Sequence, residues 1–235
     1  MPVLVTATAA AVGWTIAVSP YLWAPGISTA VATPFGTLEA ERSPGDLLSS
    51  ADFALMGRVE ARNGRLGLIA DLVYANLSES NPTPFGPLFS RADVETNMRL
   101  ATGYAAWRVH DAVPLAIDLT AGLRATSLGL DVTLAPAALP GRRLEFSESW
   151  VDPVVGARVR FDFTDSWFAT AFVDIGGFGG DADSTWQAFG SIGYQLGARW
   201  SVQGGWRHLS IRKEIAGQDV SIDLDGPLLG FTYRF

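Results

Sequence analysis

The chain has 235 residues, of which 48% are hydrophobic and 17% charged, with a net charge of −7, 25 glycines and no cysteine. No run of about 18 apolar residues exists to cross a bilayer as a helix, and the acidic balance without a basic block excludes a nucleic-acid-binding protein. A disulfide framework is excluded as well, and glycines spread along the whole chain disfavour a helical bundle.

Residues 1–11 (MPVLVTATAAA) lack a positively charged start and end in small side chains, as the remnant of a signal peptide or a disordered tail would. The rest, 12–235, shows no composition break and is expected to form one domain. Its alternating segments predict ten strands: 13–23, 52–62, 65–77, 93–109, 115–131, 149–163, 167–178, 185–196, 200–212 and 220–235. Asn63-Gly64 joins the second and third as a tight hairpin, and short turns recur at 110–114, 164–166 and 197–199. Longer connections alternate with them, at 24–51, 78–92, 132–148, 179–184 and 213–219. Within the first, 27–33 and 36–42 predict a further hairpin, which raises the count to twelve if it joins the wall. Pro44 after Ser43 predicts a short helix near 44–51.

Strict alternation of short turns with long loops predicts an all-β, up-and-down antiparallel transmembrane barrel, with short periplasmic turns and longer extracellular loops. The two faces of each strand differ. Phe53, Leu55, Val59 and Ala61 oppose Arg58 and Glu60, and Leu115, Ile117, Leu119 and Leu123 oppose Asp118 and Arg124. Mixed charge on the polar face suggests pairing across a narrow lumen. The candidate pore lining is therefore Arg58, Glu60, Asp71, Glu95, Arg99, Asp118, Arg124, Asp152, Arg158, Arg160, Asp162, Asp174 and Arg207. Aromatic residues gather at strand ends, and Trp14, Trp23, Trp150, Trp167, Trp186, Trp200, Tyr233 and Phe235 are the candidate membrane-interface girdles. Trp107 shares parity with Glu95 and Arg99 and so reads as inward. A soluble carrier barrel, with apolar residues inside, is the competing arrangement.

The segments SPYLWAPG (19–26), DFALMGRVEARNGRLGLIADLVYANL (52–77), VDIGGFG (173–179) and GGWRHL (204–209) resemble small outer-membrane β-barrels of the porin-like superfamily. The aromatic final strand, 224–235, resembles the terminal strand of Gram-negative barrels. The resemblance implies residence in the bacterial outer membrane, the lipid bilayer as surroundings, and the barrel-assembly machinery as a partner for that strand. It implies no substrate and no oligomeric state. Catalytic and metal chemistry are not expected: His208 and Ser210 share parity without an evident acid in the local sequence, and the acids at 181 and 183 lack calcium-loop spacing. No cofactor is expected. The expected function is structural, or passive passage of small solutes; the alternative is a barrel that anchors an extracellular surface for adhesion or ligand binding.

Overall fold

A computed structural model describes residues 13–33, 36–43, 45, 51–81, 89–178, 184–215 and 218–235. Its strands are β1 (Thr15–Trp23), β2 (Gly26–Thr33), β3 (Gly36–Arg42), β4 (Ala51–Asn63), β5 (Leu66–Asn81), β6 (Phe89–Ala112), β7 (Leu115–Pro136), β8 (Arg142–Asp162), β9 (Trp167–Gly176), β10 (Ser184–Gln195), β11 (Trp200–Ile215) and β12 (Gln218–Arg234). Ten of them close a ring in the order β1-β4-β5-β6-β7-β8-β9-β10-β11-β12, and β12 pairs back onto β1. Every pairing is antiparallel, so the closed wall leaves no exposed edge.

Strands β2 and β3 are not part of the ring. Trp23 of β1 faces Leu228 on β12, and after Ala24-Pro25 the chain returns to the same strand, where Gly26 faces Asp225. β3 then hydrogen-bonds to β2, so the hairpin stands on the extracellular end of β12. The helix expected over 44–51 falls almost wholly outside the described residues, which lack 44 and 46–50, and its last position, Ala51, belongs to β4. Residues 1–12 lie outside them too.

The extracellular connections are more ordered than the alternation predicts. β7 and β8 stay paired as far as Leu134 and Arg142, so most of the expected loop 132–148 is strand. β6 begins at Phe89, inside the expected loop 78–92.

Alternation sorts the side chains by solvent. Leu119, Leu123, Val173, Ile175, Ile192 and Phe231 stand on the outer wall with roughly half of their surface exposed, whereas Asp118, Arg124, Asp152, Asp174 and Arg207 are buried inside. A water-soluble barrel would reverse this. Apolar side chains outside and ionic ones inside form a surface suited to lipid. Two inward glycines let neighbouring strands curl closely together. A Cβ on Gly122 would lie 1.9 Å from the Gly103 carbonyl oxygen, and one on Gly205 would lie 2.1 Å from that of Gly190.

Candidate functional site: the filled lumen

The interior is stacked in layers along the barrel axis. Nearest the extracellular mouth is an apolar lid: Trp23, Met56, Val73, Leu100, Trp150, Leu209, Ile211 and Leu224 pack as one buried cluster. Lys213 lies over the Trp150 ring, 4.6 Å from its centroid, at the outer side of this lid.

Below the lid is an ionic layer. Arg207 donates to Asp71 (3.2 Å), to the Tyr21 hydroxyl (2.9 Å) and to the Gln187 carbonyl (2.9 Å). Arg58 donates to the second oxygen of Asp71 (3.1 Å). Gln187 links this group to the next by donating to Tyr104 and Asp174. Arg124 donates to both oxygens of Asp174 (2.8 and 2.6 Å) and to Thr185 (3.0 Å). Arg207 also stacks on the Trp23 ring at 4.8 Å, which ties the ionic layer to the lid.

Nearer the periplasmic turns a second ionic group forms. Arg158 grips Glu60 through two nitrogens (2.6 and 2.7 Å) and reaches Asp118 (2.8 Å). Arg62 also reaches Glu60 and Asp118 (3.1 and 3.0 Å), and Arg108 bridges Asp118 and Asp111. Arg62, Arg108 and Arg158 thus face Glu60, Asp111 and Asp118, three charges against three. Balanced, multiply bonded pairs of this kind are the form in which ionised groups tolerate removal from water.

Three of these contacts cross the cylinder. Arg158 to Glu60 joins β8 to β4, Arg207 to Asp71 joins β11 to β5, and Gln187 to Tyr104 joins β10 to β6. Each pair of strands is four positions apart in a ring of ten, close to the full diameter. Side chains therefore fill the space an open channel would occupy.

The sequence-predicted residues fall into two groups. Arg58, Glu60, Asp71, Asp118, Arg124, Asp152, Arg158, Arg160, Asp162, Asp174 and Arg207 are on inward positions of their strands, with Arg160 and Asp162 paired at 2.9 Å near the periplasmic rim. Glu95 and Arg99 are on the outside instead. The inner face of β6 is Leu100, Thr102, Tyr104, Ala106 and Arg108, so Glu95, Arg99 and Trp107 share the outer one, and Trp107 is 52% exposed. Among the aromatics, Trp14, Trp167, Trp186, Trp200 and Phe235 stand on the outer wall. At the periplasmic end Trp200 contacts Tyr233, which in turn contacts Phe235. Trp23 and Trp150 do not join them: at 1% and 3% exposed they belong to the lid. Their parity had the signal, since Trp23 follows inward Ser19 and Tyr21, and Trp150 precedes inward Asp152, to which its indole donates at 3.0 Å. Also inside are Tyr21, Arg62, Tyr104, Arg108, Thr185 and Gln187. They complete the network, and parity with Arg58 would have found Arg62.

No family model matches the chain, and no curated protein matches it. Among solved structures it is similar to the outer membrane protease OmpT from Escherichia coli, at 8% identity and a TM-score of 0.67, over 96% of this chain and 98% of that one. It also aligns with Ail, the attachment invasion locus protein of Yersinia pestis, at 11% identity and a TM-score of 0.43, over 95% and 99% of the two chains. The translocator domain of the autotransporter NalP from Neisseria meningitidis aligns at 12% identity and a TM-score of 0.42, over 97% and 90%. The fold is that of a ten-stranded outer-membrane β-barrel, and its apolar outer wall is the surface that meets the bilayer.

Proposed function

We propose that the protein is a closed outer-membrane barrel that anchors an extracellular β-structured surface for binding, and that it is neither an open pore nor an enzyme. One observation carries this reading: β6, β7 and β8 continue far above the apolar belt. Their lengths are 24, 22 and 21 residues, whereas a tilted strand spans a bilayer in about 9–11. Above the row of Arg99 and Ser127, residues 89–98 and 128–136 pair for about 30 Å of strand at the usual rise per residue. The β2–β3 hairpin and the ends of β11 and β12 rise from another part of the rim. Ordered backbone of this length positions side chains for recognition, as rigid scaffolds position binding loops. The crossed lumen supports the same reading by leaving the outer end as the place where the protein meets other molecules. The apolar and aromatic outer face of β12, Leu229, Phe231 and Tyr233, suits recognition by the barrel-assembly machinery before closure onto β1.

The test replaces residues 128–148 with a two-residue Asn-Gly turn and compares cells displaying the full and shortened barrels on an array of glycans and extracellular-matrix proteins. Loss of adherence with an intact, heat-modifiable barrel is expected. Equal adherence of the two would remove the rib from any binding role.

The non-catalytic part of the reading rests on the position of His208 and the carboxylate it contacts. His208 lies on the outer wall, with Nδ1 3.2 Å from Asp225, its ring 4.5 Å from that of Trp186, and the Trp206 indole donating to the same Asp225 at 2.8 Å. His208→Ala is expected to leave peptide and lipid-ester turnover at the level of the unaltered protein. A turnover present in that protein and abolished by the substitution would make this an enzyme.

A further inference from the structure

The outer wall changes from apolar to polar along one sharp line on the β5–β8 side. Leu72, Ala101, Ala125 and Val151 face one another across four strands as the last apolar row. The next row up is Tyr74, Arg99, Ser127 and Ser149. In a membrane barrel that line is the boundary between acyl chains and headgroups of the extracellular leaflet.

Arg99 sits on the line with an exposed side chain, its guanidinium 5.6 Å from the Tyr74 ring centroid. No carboxylate among the described residues pairs with it. The carboxylates of this face are higher up, where Arg143 is held by Asp131 (3.3 Å) and Glu145 (2.9 Å). Beside Arg99, the Ser149 hydroxyl donates to Ser127 at 2.8 Å, which leaves the Ser127 hydrogen free to donate outward. Directly beneath runs a groove of about 390 Å³, floored by the small side chains of Ala101 and Ala125 and walled by Leu72 and Val151. It opens on the lipid side, so its filling has to be apolar.

We infer that Arg99, Ser127 and this groove form a binding site for one phosphate-bearing lipid of the extracellular leaflet, the phosphate on the guanidinium and one acyl chain along Ala101 and Ala125. The guanidinium fork matches two phosphate oxygens, and the tyrosine ring holds it at the height where such phosphates lie. Across the barrel the rim of β11 and β12 carries Asp223 and Asp225 beside His208, two carboxylates that disfavour a phosphate at that place. The inference is independent of whether the ribs bind a partner.

The test is native mass spectrometry of the delipidated full barrel in detergent, titrated with phosphatidylglycerol, phosphatidylcholine or inorganic phosphate. One phosphatidylglycerol is expected to be retained, and Arg99→Gln is expected to weaken it roughly fivefold, the contribution of one basic side chain near an anionic lipid surface. Ala101→Leu fills the groove but keeps the charge, and it is expected to lose the lipid as well. Both variants should keep the compact, heat-modifiable band, and Asp225→Asn on the opposite side should bind as the unaltered protein does. Retention unchanged in Arg99→Gln would overturn the site, and retention unchanged in Ala101→Leu would overturn the acyl groove. Displacement of the lipid by millimolar inorganic phosphate would make this a free-anion site and overturn the lipid assignment.

Discussion

Replacing Asp174 with alanine is expected to cost the barrel about 3–5 kcal/mol, the penalty for stranding one partner of a buried ion pair. Asp174 and Arg124 are both fully shielded, with no exposed side-chain surface on either. Asp174 also accepts from Tyr104 and Gln187, so its loss strips three donors at once. Equilibrium urea unfolding of barrel refolded into vesicles measures the difference. Asp162→Ala provides the contrast, because Asp162 and Arg160 are 38% and 35% exposed and an ion pair so wetted contributes about 0–1 kcal/mol. Joint replacement Arg124→Met with Asp174→Leu should restore much of the loss, since an apolar pair of similar volume needs no compensating charge. Equal effects of Asp174→Ala and Asp162→Ala would show that water reaches the middle of the lumen.

Planar-bilayer recording should show no porin-sized steps for the unaltered protein. Two obstructions stand in series: the lid around Trp23 and Trp150, and the crossing contacts of Arg158 with Glu60 and Arg207 with Asp71. Because either blocks an ion alone, Trp23→Ala with Trp150→Ala should stay silent, and so should Arg158→Ala with Arg207→Ala. These four substitutions combined with Gln187→Ala, which removes the third crossing contact to Tyr104, should produce resolved steps, provided the heat-modifiable band shows a folded barrel. Large currents from the unaltered protein would contradict the filled interior. A folded but silent combined variant would place the obstruction elsewhere.

The wall was legible because its alternation is a physical necessity where one face meets lipid. Arg58 and Glu60 against Leu55 and Val59 set β4 in its orientation without any structure. Legibility ended where the lipid ends. Above the apolar rows the outer face meets headgroups and water instead of acyl chains, so Arg99 and Glu95 carry charge outward while Leu100 stays buried inside, and "charged" no longer means "inside". The outer face of β6 lower down is Ala101, Gly103 and Ala105, too small to contrast with inward Leu100 and Tyr104, so the charges of Glu95 and Arg99 alone set the expected orientation of the strand, and it is the reverse of the true one, Trp107 included. Tryptophan at a strand end was ambiguous for a related reason: an indole suits a membrane interface and a lumen lid equally, and Trp23 and Trp150 took the second. The extracellular length of β7 and β8 was hidden because Arg143 and Glu145 read as loop, although charged residues on a water-facing side form strand perfectly well. The crossing pairs could not be read at all. Arg158 and Glu60 are 98 residues apart, and nothing local tells one which partner stands opposite.

The crossing contacts also bear on how the cylinder forms. Tyr21 lies on the first strand and Arg207 on the penultimate one, 186 residues later, yet they share Asp71. A sheet still open lacks one side of every such contact, and its ionic residues stay hydrated until the seam between β1 and β12 approaches. Zipping of the seam and dehydration of the interior are consequently one cooperative event near the end of assembly, with loop-closure entropy spent before these bonds return anything. A seam shifted by one residue would turn β12 side chains to the wrong side of the wall and bring Arg207 and Asp71 to different heights. Mutual neutralisation inside the barrel thereby discriminates the correct closure from its near neighbours.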